Sequence, residues 1–160
     1  NVVHYENPKI VTGCLPVWEA RVLLCKRSIE PRRGYWTLPA GFMELDETSI
    51  EGAIRETWEE ATARVEVQGL YSMFNLPHIN QVYIMFRSRL LDLDFRPGLE
   101  SEDVQLFREA DIPWDDLAFT TIRQTLRFYF EDRVRASFPL RTGTIIRAAD
   151  GFRFEPGPEG

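Results

Sequence analysis

Between residues 9 and 26 the apolar positions fall into two β-rich runs, Lys-Ile-Val-Thr-Gly-Cys-Leu-Pro-Val-Trp and Arg-Val-Leu-Leu-Cys-Lys, separated by Glu19-Ala20. That pattern predicts two strands paired as a hairpin. Pro31, Gly34, Pro39 and Gly41 punctuate the next stretch around Tyr35-Trp36-Thr37-Leu38, a short strand ending at a loop. From Thr48 the apolar spacing changes to three and four. Ile50, Ala53, Ile54, Thr57, Trp58 and Ala61 then define the buried face expected of an amphipathic helix. Thr48 or Ser49 stands at its N-cap; Ser49 has Gly52 three residues on, so no full capping box is expected. Thr62 follows the helical pattern, and a β-branched residue is a poor choice for a left-handed cap, so a different ending is expected.

Period two returns in residues 65–74 and 81–91. In the second of these Val82, Ile84, Phe86 and Leu90 share one face, and Tyr83, Met85, Arg87 and Arg89 the other. Residues 103–107 read as another strand, 113–117 as a short helix with proline in its first turn, and Phe119, Ile122, Leu126 and Tyr129 as one side of a longer helix. Residues 1–140 read as a single domain and 141–160, closing on Pro-Gly-Pro-Glu-Gly, as an extended or disordered tail. Strands around a central helix, with a second helix late in the chain, predict an α/β fold with a mixed sheet.

Composition narrows the function classes. At 160 residues and 44% hydrophobic, the chain has material for one core. Its formal net charge of -6 disfavours a nucleic-acid polymer or an anionic membrane as partner and leaves room for a local basic site that holds a small anion. Cys14 and Cys25 are too few for a disulfide framework or a zinc site and read as buried free thiols in a reducing compartment. No apolar run approaches ~20 residues and no signal-peptide pattern opens the chain, so the expected location is cytoplasmic, with a plastid or other organelle open.

The segment with the most chemistry lies on the predicted helix. Glu56, Glu59 and Glu60 are three and four residues apart and crowd neighbouring turns of one face beside Arg55. Each like-charge pair costs ~0.2–0.5 kcal/mol, and acids in the last turn lose a further ~0.3–1 kcal/mol against the helix dipole. A hard divalent cation relieves that repulsion and bridges to phosphate oxygens, whereas a solvated acidic face is the ordinary alternative.

Spacing around the acids favours the first. Gly41 is followed by five residues and Glu47, then seven residues and Arg55-Glu56, then Thr57-Trp58 and Glu59-Glu60. This resembles the box of the Nudix hydrolases, with Thr62 where the family has glycine and Thr57 where it has an apolar residue. The resemblance implies a Nudix-type α/β/α sandwich with a mixed sheet and a loop-helix-loop catalytic motif. It also implies a pyrophosphohydrolase of nucleoside diphosphate derivatives that uses Mg2+, with Mn2+ as an alternative, and often forms a homodimer. In that reading Glu56, Glu59 and Glu60 are metal ligands, Arg55 orients Glu56, Gly41 permits a tight turn, and Glu47 supports the site. A further ligand from outside the box is expected among Glu100, Glu102 and Asp103, with Glu102 preferred.

Pro77, fifteen residues beyond Thr62, resembles the subgroup acting on ADP-ribose, and His4-Tyr-Glu-Asn-Pro8 with Ile10-Val11 and Gly13 resembles the start of the catalytic domain in a branch acting on FAD and ADP-ribose. In that branch an N-terminal zinc ribbon precedes the segment; its cysteines are absent here, and no zinc is expected in this chain. Arg32, Phe74, Pro77 and His78 are the expected substrate contacts, with Arg27 and Arg33 as further phosphate donors and Tyr35 as a second stacking ring. The motif of NADH-cleaving relatives, Ser-Gln-Pro-Trp-Pro-Phe-Pro, is absent. The expected reaction is hydrolysis of ADP-ribose or FAD to AMP and a phosphorylated product. The alternatives are a nucleotide-sensing domain without turnover, or a hydrolase of NADH or a nucleoside triphosphate.

Overall fold

The computed structural model describes residues 6–158, so the His4-Tyr5 part of the opening segment lies outside the described residues. Nine strands and two helices follow one another as β1 (Lys9–Trp18), β2 (Arg21–Arg27), β3 (Trp36–Thr37), β4 (Ala40–Phe42), α1 (Ser49–Ala61), β5 (Val65–Leu76), β6 (Gln81–Leu90), β7 (Ser101–Arg108), α2 (Thr120–Arg135), β8 (Arg141–Ala148) and β9 (Gly151–Pro156). The sheet is mixed, in the order β3-β2-β1-β6-β5-β8-β9, with β4 on β1 and β7 on β2.

β1 and β2 form the expected hairpin only at its closed end, where Val17 pairs with Val22 and Trp18 with Arg21. Beyond that point β1 runs parallel to β6 from Lys9 to Val17 and takes β4 as an antiparallel partner, while β2 pairs with β3 and β7. The two strands splay apart, and the functional cleft is lined from both sides of the divergence.

Alternation along each strand sends side chains into two cores. On one face Leu15, Leu24, Tyr83 and Met85 meet Ile122, Leu126 and Tyr129 of α2; on the other Cys14, Cys25, Phe86 and Leu90 meet Ala53 and Ala61 of α1. The layers are therefore α/β/α, as expected, and the two faces read for residues 82–90 fall on different cores. Among the described residues no helix is long and apolar enough to cross a membrane.

Three expectations change. In α1 the buried residues are Gly52, Ala53, Glu56, Thr57, Glu60 and Ala61, whereas Ile50, Ile54 and Trp58 are 43%, 40% and 45% exposed. Small side chains let the helix backbone approach β1, close enough for Thr12 Oγ1 to donate to the Ser49 carbonyl at 2.7 Å and for Cys14 Sγ to donate to the Ala53 carbonyl at 3.5 Å. Thr57 tolerates burial because its hydroxyl donates to the Ala53 carbonyl one turn back, at 2.8 Å.

The helix ends also differ. Thr48 is the N-cap and does form a capping box: its Oγ1 accepts from the Glu51 N–H at 3.1 Å, and Glu51 Oε1 accepts from the Thr48 N–H at 2.9 Å. Removing that hydroxyl in Thr48→Ala is expected to cost about 1 kcal/mol, read as a lower urea midpoint at unchanged slope; an unmoved midpoint contradicts it. At the other end Thr62 does adopt the left-handed conformation, at φ 47 and ψ 37, with its N–H donating to the Trp58 carbonyl at 2.8 Å. The loop before β7 then satisfies the next carbonyls, since the N–H groups of Gly98 and Arg96 donate to Glu60 and Ala61 at 2.9 Å each. These bonds offset the local strain.

The third change is at the C-terminus. Residues 141–156 are extended but form no free tail: β8 joins the sheet parallel to β5, with Phe74 opposite Gly143, and β9 folds back antiparallel on β8. The domain therefore continues past residue 140.

Candidate functional site

The box residues converge because the loop between β4 and α1 is tied to the helix by one guanidinium. Arg55 donates through Nε to Glu47 Oε2 at 3.0 Å, and through Nη2 to Glu47 Oε1 at 2.8 Å and to the Phe42 carbonyl at 3.2 Å. Its Nη1 reaches Glu56 at 2.9 Å and Glu59 at 3.1 Å. Glu47 also accepts from the Glu44 N–H at 2.7 Å, and Arg55 with that N–H holds its carboxyl down at about 2. Glu47 is thus the clamp that fixes Arg55, and Arg55 in turn orients Glu56. Gly41 makes no turn, which corrects its expected role: it lies in β4 opposite Thr12, and glycine is required there because a Cβ would overlap the Glu56 carboxylate.

Glu56 and Glu60 are buried, at 9% and 8% exposure, while Glu59 is exposed on the outer side of Arg55. Glu60 Oε2 accepts from the Ala40 N–H at 3.0 Å. Burial first, and then the charge of Glu56, push the Glu60 carboxyl up to about 8; Ala40 and Arg27 pull the other way. Burial also raises Glu56 against the opposing pull of Arg55.

The charge of Glu100 adds to the upward shift of both acids. Glu100 lines the same cleft because the loop that caps α1 delivers it there. A Cβ at Gly98 would run into the Glu59 carbonyl, so that docking needs glycine. Glu102 does not meet the cluster; it pairs with Lys26 at 3.5 Å and is exposed, which corrects the preference for it. Glu100 precedes β7 in the loop that reaches the helix end, whereas Glu102 lies within β7 where its pairing with β2 shifts register between Lys26 and Arg27.

Glu56, Glu59, Glu60 and Glu100 offer hard carboxylate oxygens, and burial with mutual repulsion disfavours ionising Glu56 and Glu60 together, a burden that a hard divalent cation would relieve. Among the described residues no three acidic, histidine or cysteine side chains are grouped closely enough to hold an ion: Arg55 neutralises Glu56 and Glu59, and Glu59 does not line the cleft with Glu56, Glu60 and Glu100.

The cleft beside these acids has a volume of about 960 Å³. Arg27, Arg32 and His78, the residues expected to meet phosphate or sugar, line it. Arg32 is partly committed, with Nε donating to the Ala118 carbonyl at 3.1 Å and its guanidinium 4.1 Å from the Tyr35 ring centroid, so Tyr35 stacks on an arginine. Arg33 is exposed beside Glu30. Phe74 is fully buried, packed edge-on against Phe154 and tilted against Phe128, and makes no wall of the cleft, which corrects its assignment to substrate. Pro77 opens a one-turn 3-10 helix and is exposed, outside the cleft, which corrects its assignment also. Arg123, Ile145 and Phe152 line the cleft without having been expected there. The apolar positions of 145–146 and 152–154 carried the signal, but the segment read as a tail.

Residues 7–129 match the NUDIX domain family. The chain belongs to that family. A crystal structure of a NUDIX hydrolase from Nitrosomonas europaea is 56% identical and superimposes with a TM-score of 0.88 over 90% of this chain and 82% of that one. A MutT-like protein from Streptomyces ambofaciens is 37% identical over 79 residues, 49% of each chain. An ADP-ribose pyrophosphatase from Methanocaldococcus jannaschii is 25% identical over 115 residues, 68% of this chain and 67% of the relative. This NUDIX domain thus spans about half the length of the first of these curated relatives and two thirds of the second.

Proposed function

We propose that this NUDIX domain hydrolyses the diphosphate of a nucleoside diphosphate derivative, ADP-ribose or FAD, to AMP and the other phosphorylated half. The observation that carries the reading is the buried Glu56 and Glu60 pair, joined by Glu100, in a cleft that also holds the guanidinium groups of Arg27, Arg32 and Arg123. Its volume falls in the range of small-molecule sites. The relationship to an ADP-ribose pyrophosphatase supports the choice of substrate.

Mg2+ or Mn2+, held by Glu56, Glu59, Glu60 and Glu100, would neutralise the diphosphate and acidify a bound water. Arg55 fixes the rotamer of Glu56, and the Ala40 N–H fixes one oxygen of Glu60. Glu60, beside Glu56 in the cleft, would take a proton from the attacking water once a cation offsets the burial and the neighbouring charge that hold its carboxyl protonated in the free protein. Arg27, Arg32 and Arg123, each anchored by one bond to a backbone carbonyl, would offer their remaining N–H groups to phosphate oxygens and neutralise the departing phosphate.

The test is chromatographic detection of AMP after incubation with ADP-ribose, FAD and NADH, each with Mg2+, with Mn2+ and with chelator. Cation-dependent AMP from ADP-ribose or FAD is the expected result; none from either overturns the reading. Within that assay Glu100→Gln is expected to lower kcat by ~10²-fold or more, the scale for losing one electrostatic contact to the reacting centre. Glu102→Gln is expected to leave kcat within about two-fold, and the reverse pattern would restore Glu102 to the site.

A further inference from the structure

The first turn of α2 opens on the cleft, which Phe119, Thr120, Thr121 and Arg123 all line. Phe119 is the N-cap, and its side chain caps nothing. Its carbonyl accepts from the N–H groups of Ile122 and Arg123 at 3.1 Å each, whereas the N–H groups of Thr120 and Thr121 donate to no group among the described residues. A helix of 16 residues thus presents its positive end uncapped.

Three guanidinium groups gather around that end. Arg32 Nε donates to the Ala118 carbonyl at 3.1 Å, the Arg27 guanidinium lies 5.2 Å from the centroid of the Phe119 ring, and Arg123 donates to the Trp114 carbonyl at 3.0 Å. Among the described residues none of the three forms an ion pair. Arg27 also eases the ionisation of Glu60, so this positive region adjoins the acids. A separate observation comes from Thr121, which is 1% exposed and whose Oγ1 makes no hydrogen bond among the described residues, although the Tyr83 phenol stands beside it. Whichever way that phenol turns, the Thr121 O–H is free to donate. A buried hydroxyl without a partner is costly and calls for an explanation.

We infer that Thr121 and the uncapped first turn of α2, framed by Arg27, Arg32 and Arg123, form a site for the leaving phosphate that is matched to a dianion. A phosphate inside a diphosphate diester carries one negative charge. When water adds to the phosphorus held at the acids and gives its proton to Glu60, the bond to the bridging oxygen breaks and the electron pair stays with that oxygen. The other phosphate then departs as a monoester with two negative charges. Three unpaired cations and a helix end exceed the charge of the bridged phosphate and suit the one that develops. The inference rests on the proposed function in taking the leaving group to be a phosphate, but the preference for a dianion is measurable without turnover.

Methyl phosphate and dimethyl phosphate share a tetrahedral core and differ in charge, the monoester being largely a dianion above its second pKa of about 6. Each is titrated, in chelator, into isotope-labelled protein followed by its amide resonances. Methyl phosphate is expected to shift the amides of Thr120 and Thr121 and to bind about ten-fold or more tightly than dimethyl phosphate. Thr121→Val is expected to weaken methyl phosphate by about ten-fold, the scale for one hydrogen bond to a charged group, and to leave the melting temperature unchanged or higher, because the lost hydroxyl is unsatisfied. Thr121→Ser keeps the hydroxyl and is expected to retain the affinity. With ADP-ribose or FAD and Mg2+, the loss in Thr121→Val is expected to fall on kcat more than on KM. Equal affinity for the two phosphates, or unchanged methyl phosphate affinity in Thr121→Val, overturns the site even where AMP is formed. The expected binding with no AMP from either substrate upholds the dianion site and overturns the proposed function.

Discussion

Glu60→Gln is expected to lower turnover by ~10²–10⁴-fold, the usual contribution of a positioned acid or base, while raising the melting temperature of the metal-free protein. Both halves follow from one position in the fold. Glu60 is 8% exposed, shares the cleft with Glu56 and Glu100, and has its carboxyl pushed up to about 8 chiefly by burial. The amide keeps the bond from the Ala40 N–H and removes the charge. Between roughly pH 4.5, the ordinary value, and 8 the folded protein retains a proton that the unfolded chain releases. Stability is therefore lost as pH rises through that window in chelator, and the variant's advantage widens toward pH 8 and levels off above it. Adding Mg2+ is expected to stabilise the wild type more than the variant, because a ligand bound only by the folded state shifts the equilibrium. Differential scanning calorimetry at pH 5 and 8, with and without Mg2+, reads all of this. A variant with full activity removes Glu60 from the mechanism; one melting lower at both pH values in chelator shows that its charge is not a burden.

The box was legible because its spacing is a geometric demand. Arg55 must reach back to Glu47, and the Glu56 carboxylate must fit where a Cβ at position 41 would stand, and those demands fix residue types at set intervals. Glu100 was less legible, since nothing local distinguishes it from Glu102. Its place depends on the bonds of Gly98 and Arg96 to the end of α1, a contact between segments some forty residues apart in sequence. The packing of α1 was misread for a related reason. Apolar periodicity selected Ile50, Ile54 and Trp58, but β1 comes so close that only the side carrying Gly52, Ala53, Thr57 and Ala61 fits against it. Periodicity reports where large apolar groups lie and says little about how closely a backbone approaches.

The C-terminal hairpin escaped the reading for a different reason. Of its two strands only β9 is an exposed edge strand, but β8 opens on Arg141-Thr-Gly-Thr144, so the apolar signal is confined to Ile145-Ile146 and Phe152-Arg-Phe154 and is too short to mark two strands. What holds them is a long-range polar anchor. Asp132, on α2 and 1% exposed, accepts from the Tyr71 hydroxyl of β5 at 2.5 Å and from both Nε and Nη2 of Arg141, the first residue of β8. The Arg141 guanidinium also lies 4.7 Å from the centroid of the Phe128 ring. Burial, reinforced by Asp132, pushes the Tyr71 phenol up, so the hydroxyl keeps its proton and donates throughout the accessible pH range.

Asp132→Ala leaves a phenol and a guanidinium without their shared acceptor, and is expected to cost ~3–5 kcal/mol, the scale for breaking one side of a buried pair. In a chain of this length that lowers the melting temperature by about 10 °C or more. Asp132→Asn keeps a partner for Tyr71 but not the charge facing Arg141, and its loss is expected to be smaller. Because Arg141 begins the strand that carries Ile145 into the cleft, Asp132→Ala is also expected to raise KM more than it lowers kcat, although Asp132 lies outside the cleft. A double-mutant cycle with Arg141→Ala separates the two explanations of such a loss. Strong coupling places the energy in the anchor itself, whereas additive effects would mean that the hairpin is held by its strand pairing to β5 alone.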